Sequence, residues 1–368
     1  MGNIFVKGII LHFKKLDWVL IVSSVLLVGF GLLSIWSSSQ GEGDFLNFQK
    51  QIIFWLIGIF LMLLISFFDW RALRENPYLM LAFYFFCIVA LVGLFFVAPE
   101  IRGVRSWYKI GEISIDPIEF TLLALIIILA KYFSNRHIEM YRVRHLILSG
   151  IYVLIPAGLI FFQPNLGSFL LLAALWVGVL LFSGIKLRHF LILCLCGLIF
   201  FAFSWAFLLK DYQKERITSF LKPQLEPLGI GWSQNQAKIA IGSGGLLGKG
   251  WERGSQTRYG FLPEPQTDFI FSAIAEEFGL VGVFFLILFF VILIGRIVKI
   301  AVSAESNFPR LFAAGLAIIL VAKIIIHIGM NLGVLPIIGI PLPFVSYGGS
   351  SLVAAYIGLG VLQSIKTR

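Results

Sequence analysis

Residues 262–279, LPEPQTDFIFSAIAEEFG, place one aspartate, Asp268, where a polar segment meets a hydrophobic helix. About twenty mostly apolar residues follow, enough to cross the hydrocarbon of a bilayer as a helix. A glycine-rich polar run, residues 242–248, precedes the stretch. The pattern predicts a loop that brings an acid to the membrane surface, which indicates chemistry on a substrate carried by a lipid.

The composition around this stretch defines the class of protein. Hydrophobic residues make up 59% of the 368 residues and charged residues only 13%, more apolar surface than a soluble core of this length could bury. The net charge of +10 resides mostly in short tethers between apolar segments. Nucleic-acid binding would need basic residues gathered on one soluble face, so we expect no nucleic-acid partner.

Apolar runs of about twenty residues predict an all-α polytopic membrane protein with about ten transmembrane helices. One long extracytoplasmic loop, residues 210–268, separates the seventh and eighth spans, and the whole chain, 1–368, is expected to form one membrane domain. The predicted spans begin near Leu16, Gln51, Tyr78, Pro117, His145, Gly167, His189, Phe269, Arg310 and Val345.

Basic residues orient the chain, because short cytoplasmic loops retain Lys and Arg. One alternating set of connections carries most of them: Lys7, Lys14, Lys15, Arg71, Arg74, Lys131, Arg136, Arg142, Arg144, Lys186, Arg188, Arg296, Lys299, Arg310, Lys366 and Arg368. Among the short loops of the opposite set only one is basic, with Arg102, Arg105 and Lys109. This asymmetry predicts a multi-pass protein with both termini in the cytoplasm and Asp268 facing outward.

Asp268 has two interpretations on local sequence alone. It could cap the following helix, since Asp is a preferred residue at that position, or it could act as a general base toward a sugar hydroxyl. The preceding glycine-rich run is equally ambiguous. Its N–H groups could hold a pyrophosphate, or it could be a flexible turn.

Ionisable residues inside apolar segments are a second group of candidate functional residues, because a charge in hydrocarbon is costly and is rarely kept without use. They are Glu119, Glu276, Glu277, Lys323 and His327. Each either serves function or forms a structural pair or lines a wet crevice. Residues 331–351, NLGVLPIIGIPLPFVSYGGSS, contain three prolines that forbid a regular helix, so we expect broken backbone there to line a cavity or lie buried in protein.

Five motifs together resemble one known family. They are RSW (residues 105–107), DPIE (116–119), QPNLG (163–167), LPEPQTDFIF (262–271) and PIIGIPLPFVSYGGSS (336–351). The chain resembles the shape, elongation, division and sporulation (SEDS) proteins typified by RodA and FtsW, and is most similar to the RodA type. The resemblance implies a ten-helix peptidoglycan glycosyltransferase of the bacterial cytoplasmic membrane. Such an enzyme polymerises lipid II at the outer face and works with a class B penicillin-binding protein in the elongation or division machinery.

The resemblance also implies roles for individual residues. Asp268 matches the family's catalytic aspartate and would deprotonate the acceptor's 4-hydroxyl, with undecaprenyl pyrophosphate as the leaving group. Arg216, Lys238 and Lys249, with a divalent cation such as Mg²⁺ or Mn²⁺, would offset the leaving-group charge. The other substrate-binding candidates are Arg105, Trp107, Glu119, Glu264, Ser346, Tyr347 and Ser350.

Two positions depart from the family pattern. The family usually has Lys three residues after the glutamate of the fourth span, where this chain has Leu122, and commonly has Asp where this chain has Asn165. We expect Lys323 of the ninth span to pair with Glu119 instead, because an isolated carboxylate there would be protonated. A lipid II flippase and a non-catalytic scaffold for the penicillin-binding protein remain alternatives. A flippase needs no acid at the outer face.

Overall fold

The structure, a computed structural model, describes residues 2–100, 104–134, 143–222 and 229–368. Arg102, Arg136 and Arg142, which entered the charge argument, lie outside the described residues. The regular secondary structure of the described part is helical apart from one short antiparallel hairpin. Its elements are α1 (Gly2–Lys15), α2 (Trp18–Glu42), α3 (Leu46–Phe67), α4 (Arg71–Glu75), α5 (Pro77–Val97), β1 (Tyr108–Ile110), β2 (Ile113–Ile115), α6 (Pro117–Ser134), α7 (Val143–Phe162), α8 (Leu166–Phe182), α9 (Leu187–Phe207), α10 (Asp211–Leu221), α11 (Ile230–Gly244), α12 (Ser255–Arg258), α13 (Ile270–Ser303), α14 (Asn307–Leu332) and α15 (Gly349–Thr367).

The predicted all-α polytopic fold is confirmed. Within the described ranges, eight helices are long and apolar enough to cross a membrane, and α8, with 17 residues, is a shorter apolar helix. The predicted tenth span corresponds to α15, which begins at Gly349 rather than near Val345 because residues 343–346 form a turn. The second predicted span corresponds to α3, which starts at Leu46 rather than near Gln51 because the helix extends through polar residues.

Side-chain caps set where several helices begin. Asp17 Oδ1 accepts from Leu20 N at the start of α2 (3.1 Å), and Asn76 Oδ1 accepts from Tyr78 N at the start of α5 (3.0 Å). Asn165 Oδ1 caps α8 in the same way. These bonds satisfy N–H groups that would otherwise lack partners, so the polar residues between apolar runs fix the register of the spans.

The predicted long loop, residues 210–268, contains three helices, α10, α11 and α12. Both readings of the glycine-rich run need correction here. Gly242 and Gly244 belong to the last turn of α11, so this part is no flexible turn. A side chain at Gly244 would collide with the carbonyl oxygen of Ala275, and one at Gly248 with that of Glu277. The glycines allow backbone to approach backbone.

The helix α13 is broken at Gly279, whose φ of 64° and ψ of −163° lie outside the helical region. The break releases four main-chain groups. Lys249 N and Gly250 N donate to the carbonyls of residues 276 and 277 (3.0 Å each), while the N–H groups of residues 280 and 281 donate to the carbonyls of residues 245 and 246 (3.0 and 3.1 Å). Residues 245–250 are thus inserted into the helix. Within the run itself, residues 242–244 belong to α11 and Gly248 N donates to the Gly244 carbonyl (2.8 Å), so these N–H groups are used internally and do not form the predicted anion nest.

Contacts at the two ends of the bundle show how the chain threads. At one end Arg296 Nε donates to Asp17 Oδ2 (3.1 Å), and Arg368 Nη1 lies 2.6 Å from Asp69 Oδ2. At the other end Trp36 Nε1 donates to Glu252 Oε1 (3.0 Å). The start of α2 and the end of α15 therefore lie at the end of the bundle opposite the segment that leads to Asp268.

The bundle core surrounds α6, which packs against α5, α14 and α15. Its residues 121–130 are all buried, and they include Leu122 at 2% exposure. By contrast α9 exposes apolar side chains around most of its circumference. Exposed apolar surface on a long helix is expected when lipid is the solvent.

Candidate active site

Asp268 lies in a tight turn just before α13. Thr267 N and Phe269 N both donate to the Glu264 carbonyl (3.2 Å each), and Glu264 has a positive φ of 45°. The helix begins at Ile270 with Phe269 at the capping position, where no side-chain cap forms. The interpretation of Asp268 as the N-cap is therefore wrong, because the turn ends one residue later. Asp268 is half-buried.

The broken segment between α14 and α15 faces this turn. Gly339, with φ of 69°, lies beside the carboxylate, since a Cβ atom built there would make an ordinary van der Waals contact of 3.8 Å with Asp268 Oδ2. Ser346 Oγ donates to the Thr267 carbonyl (2.8 Å) and accepts from Leu342 N (2.9 Å). The expectation that this backbone is buried in protein or lines a cavity fits these contacts, because its polar groups pair with the turn that carries the acid.

Tyr347 joins the same assembly through its main chain. Its N–H donates to the Gln266 carbonyl (2.8 Å). The Gln266 side chain accepts from Asn47 Nδ2 (2.9 Å), while Gln51 Nε2 donates to the Ser346 carbonyl (3.1 Å). Burial raises the pKa of the Tyr347 phenol, which therefore stays a neutral hydrogen-bond donor. Side chains from α3 thus contact both the turn that carries Asp268 and the broken segment before α15.

A second polar cluster lies inside the bundle. Lys323 Nζ contacts Glu119 Oε1 at 2.7 Å and Oε2 at 2.5 Å, and donates to Ser351 Oγ (3.2 Å). Ser350 Oγ accepts from Asp116 N (2.8 Å). A small cavity of about 30 Å³ adjoins the pair and is lined in part by Leu122. The structure therefore brings Lys323 to Glu119 across the helix interface, as the sequence suggested.

Asp116 lies directly before α6 and feels the charges of this cluster. Desolvation and, second, the nearby Glu119 carboxylate raise the pKa of Asp116 to about 7, against the opposing effects of the Ile118 N–H bond and Lys323. A carboxyl group that titrates near neutrality is suited to hold or release a proton. Its backbone link to Ser350 connects this cluster to the start of α15.

Glu276 is a fully buried carboxylate that organises residues 249–257. Oε1 accepts from Lys249 Nζ (2.8 Å) and Gln256 N (2.9 Å), while Oε2 accepts from both the N–H and the hydroxyl of Thr257 (3.1 Å each). Lys249 is thus committed to an internal ion pair. The role of Lys249 toward a leaving group stays a prediction, because its side chain is still 28% exposed.

The remaining candidates have local surroundings of their own. Arg105 is exposed and donates to Glu100 Oε2 (3.2 Å), and Trp107 is half-buried. Arg216 lies over the Tyr212 ring, 5.9 Å from its centroid. Lys238 is exposed and lies across Gly333 at the end of α14. A role of Lys238 and Arg216 in the recognition of a phosphate group stays a prediction.

Asn331, which was not among the predicted site residues, is fully buried at the end of α14. Its Nδ2 donates to the Asp268 carbonyl (2.9 Å). A buried amide within an apolar helix is an available signal, since polar side chains at membrane depth need partners. Asn165, the second departure from the family pattern, donates to Ser106 Oγ (2.9 Å), a bond that an aspartate could only accept.

Within residues 2–100, 104–134, 143–222 and 229–368, no group of three or more His, Cys, Asp or Glu residues could hold a metal ion. The described side chains therefore do not by themselves form a site for a resident cation.

An apolar groove of about 570 Å³ runs along α2 near the Trp36 end. Its lining includes Leu26, Gly29, Leu33, Phe48 and Trp251. The indole N–H of Trp251 donates to the Leu33 carbonyl (3.1 Å), which holds the Trp251 ring beside the groove. A groove of this size and character can accept a hydrocarbon chain of a lipid.

Comparison with known proteins agrees with this architecture. The chain is 36% identical over 353 residues to the peptidoglycan glycosyltransferase MrdB of Escherichia coli K12, covering 96% of this chain and 94% of the relative. It is 34% identical to stage V sporulation protein E of Bacillus subtilis, with 95% and 96% covered.

Solved structures give the same result. A chain from a structure described as showing structural coordination of polymerization and crosslinking by a peptidoglycan synthase complex superposes with a TM-score of 0.82 at 30% identity, covering 95% of this chain and 97% of that one. Thermus thermophilus RodA superposes with a TM-score of 0.70 at 28% identity, with 95% and 96% covered. The family described as cell cycle protein, FtsW/RodA/SpoVE, matches residues 15–368. This multi-pass membrane protein therefore belongs to the FtsW/RodA/SpoVE family.

Proposed function

We propose that this chain is a peptidoglycan glycosyltransferase that polymerises lipid II into glycan strands, with Asp268 as its general base. The observation that carries the proposal is the Asp268 carboxylate, held half-buried against Gly339 at the end of the bundle opposite the chain termini. The relatives named peptidoglycan glycosyltransferase support the same chemistry.

The reaction transfers one proton and one glycosyl group. Asp268 takes the proton from the 4-hydroxyl of the acceptor's N-acetylglucosamine, and that oxygen forms a bond to the anomeric carbon of the donor. The bond from the anomeric carbon to the pyrophosphate oxygen breaks, and undecaprenyl pyrophosphate leaves with the electron pair. A general base within hydrogen-bond reach of the hydroxyl typically accelerates the reaction by about 10²–10⁴-fold.

The leaving group carries negative charge that must be stabilised. Lys238 and Arg216 remain candidates for this role, whereas Lys249 is paired with Glu276. Mg²⁺ is commonly bound through substrate phosphates with only one or two carboxylates. A divalent cation, Mg²⁺ or Mn²⁺, is accordingly proposed to arrive with the lipid pyrophosphate.

The charge asymmetry of the connections and the known relatives support a proposal for the cellular setting. The protein resides in the bacterial cytoplasmic membrane as one membrane domain with both termini in the cytoplasm and Asp268 outside, as the basic connections predict. Its proposed partner is a class B penicillin-binding protein of the elongation or division machinery. Support comes from the structural neighbour taken from a peptidoglycan synthase complex.

The test compares wild type with Asp268→Ala and Asp268→Asn. Each purified protein is given lipid II, a divalent cation and the cognate penicillin-binding protein made transpeptidase-inactive, and the glycan products are separated on a gel. Polymer from wild type alone supports the proposal. Polymer from all three removes Asp268 from the mechanism. Absence of polymer from all three, with lipid II translocation in vesicles, would favour the flippase alternative.

A further inference from the structure

The peptide carbonyls of Asp268 and of the two residues before it each accept a hydrogen bond from another part of the chain. The carbonyl oxygens of residues 266, 267 and 268 accept, in that order, from Tyr347 N (2.8 Å), Ser346 Oγ (2.8 Å) and Asn331 Nδ2 (2.9 Å). Two donors come from the broken segment and one from the end of α14. Three successive anchors leave the acid-bearing turn little freedom to rotate.

Asn331 occupies the central place in this arrangement. Besides the Asp268 carbonyl, its Nδ2 donates to the His327 carbonyl (2.8 Å), and its Oδ1 accepts from the N–H and the hydroxyl of Ser272 (3.2 and 2.6 Å). Both donor and both acceptor positions of the carboxamide are therefore filled. The side chain has one orientation that satisfies them all, and it joins α14 to the first turn of α13.

Burial separates this role from substrate binding. Asn331 has no exposed surface, and the protein already satisfies its hydrogen-bonding capacity, so a sugar or phosphate has no free group to contact. Ser346 is similarly buried, at 4% exposure, and its hydroxyl both donates and accepts within the protein. Whatever these two residues contribute to turnover must act through the position of Asp268.

We propose that Asn331 is a positioning residue that sets the reach and direction of the Asp268 carboxylate, with Ser346 as a second anchor of the same turn. The inference rests on the proposed function of Asp268. A shift of about 1 Å in a reacting group can cost on the order of 10²-fold in rate. Loss of the Asn331 anchor should therefore slow the chemical step without weakening capture of lipid II.

The experiment measures kcat and KM for lipid II polymerisation in the complex with the transpeptidase-inactive penicillin-binding protein. Asn331→Leu removes the carboxamide at similar size. Gln234→Leu is the matched control, because Gln234 is also a buried amide and also donates to carbonyls beside the end of α14, those of residues 330 and 335, but not to residues 266–268. Both variants are checked for a wild-type unfolding midpoint.

The expected result for Asn331→Leu is a kcat about 10²-fold below wild type with KM within about twofold, while Gln234→Leu stays within about threefold in both. A kcat within about threefold of wild type for Asn331→Leu overturns the proposal. So does a raised KM at unchanged kcat, because that pattern indicates a loss of uniform substrate binding.

A second variant covers the case in which Asn331→Leu fails to fold. Ser346→Ala removes only the hydroxyl that anchors residue 267, and it should lower kcat about tenfold at unchanged KM. Unchanged kcat in a folded Ser346→Ala protein would then overturn the inference. Asp268→Ala separates the two levels of argument. Activity in that variant rejects the proposed base, whereas an inactive Asp268→Ala beside an active Asn331→Leu rejects only the positioning role.

Discussion

Replacing Lys323 with methionine should leave the Glu119 carboxylate buried without its partner. The Lys323 side chain is 4% exposed and the Glu119 side chain 12%, with contacts of 2.5 and 2.7 Å. At an effective dielectric constant of about 20, the attraction at this distance is about 6 kcal/mol. Desolvation of the two ions costs several kcal/mol each, so the intact pair contributes little net stability.

Removing one partner has a larger effect than removing both. Breaking a buried pair typically costs about 3–5 kcal/mol. The adjoining cavity of about 30 Å³ can admit one water molecule to the orphaned carboxylate, which places the expected loss for Lys323→Met near the lower end, about 3 kcal/mol. Glu119→Gln combined with Lys323→Met should recover most of that loss, because no charge remains buried.

The family's usual arrangement offers a rescue. Leu122 lies one turn after Glu119 and lines the same cavity, so Leu122→Lys can place an ammonium group next to the carboxylate. We expect Leu122→Lys with Lys323→Met to recover at least half of the lost stability. Lys131→Met, near the last turn of α6, is the control and should change stability by less than about 0.5 kcal/mol.

The assay is denaturant unfolding in mixed micelles, followed by circular dichroism, for all five proteins. Two results would refute the reasoning. One is a Lys323→Met protein within about 1 kcal/mol of wild type, and the other is a charge-free double variant no more stable than Lys323→Met. Either would mean that the Glu119 carboxylate does not depend on Lys323 for its stability inside the bundle.

Two further predictions concern glycines. Gly248→Ala should reduce the free energy of unfolding by about 2–4 kcal/mol, because the φ of Gly248 is 80° and the added methyl would collide with the Glu277 carbonyl. Gly242→Ala is the control and should be neutral or slightly stabilising, because open space surrounds Gly242. Equal free energies of unfolding for the two variants would contradict the packing of residues 245–250. Gly29→Leu should raise the KM for lipid II about tenfold, because the added side chain fills the groove on α2. Gly158→Leu on α7 is the control and should leave the KM unchanged. An unchanged KM for Gly29→Leu would show that no substrate chain uses the groove.

Much of the fold is readable from the sequence because hydrocarbon length and apolar runs are directly related. The contact between Lys323 and Glu119 was also predictable, since each charge at membrane depth requires a counterpart and few candidates exist. Both inferences depend on the high free energy of placing polar groups in hydrocarbon, which a helix relieves for the main chain and an ion pair relieves for a charged side chain.

Other features escaped because their causes lie far apart in the chain. Gly279 reads as an ordinary glycine in an apolar helix, and only residues 245–250, brought in from the loop, explain its geometry. The capping interpretation of Asp268 failed by one residue, which is within the usual uncertainty of helix ends. Asn331 escaped because its partners, residues 268 and 272, lie about sixty positions earlier in the chain.

The break at Gly279 also bears on how the protein is made. Residues 280–303 alone form 24 residues of helix, about 36 Å at 1.5 Å per residue, which exceeds the hydrocarbon thickness of about 30 Å. That portion can enter the bilayer from the translocation machinery as an independent span. Residues 270–278 are tied instead to the segment 245–250 through their freed main-chain groups. The membrane span of α13 and the placement of the acid-bearing turn therefore depend on different sets of contacts.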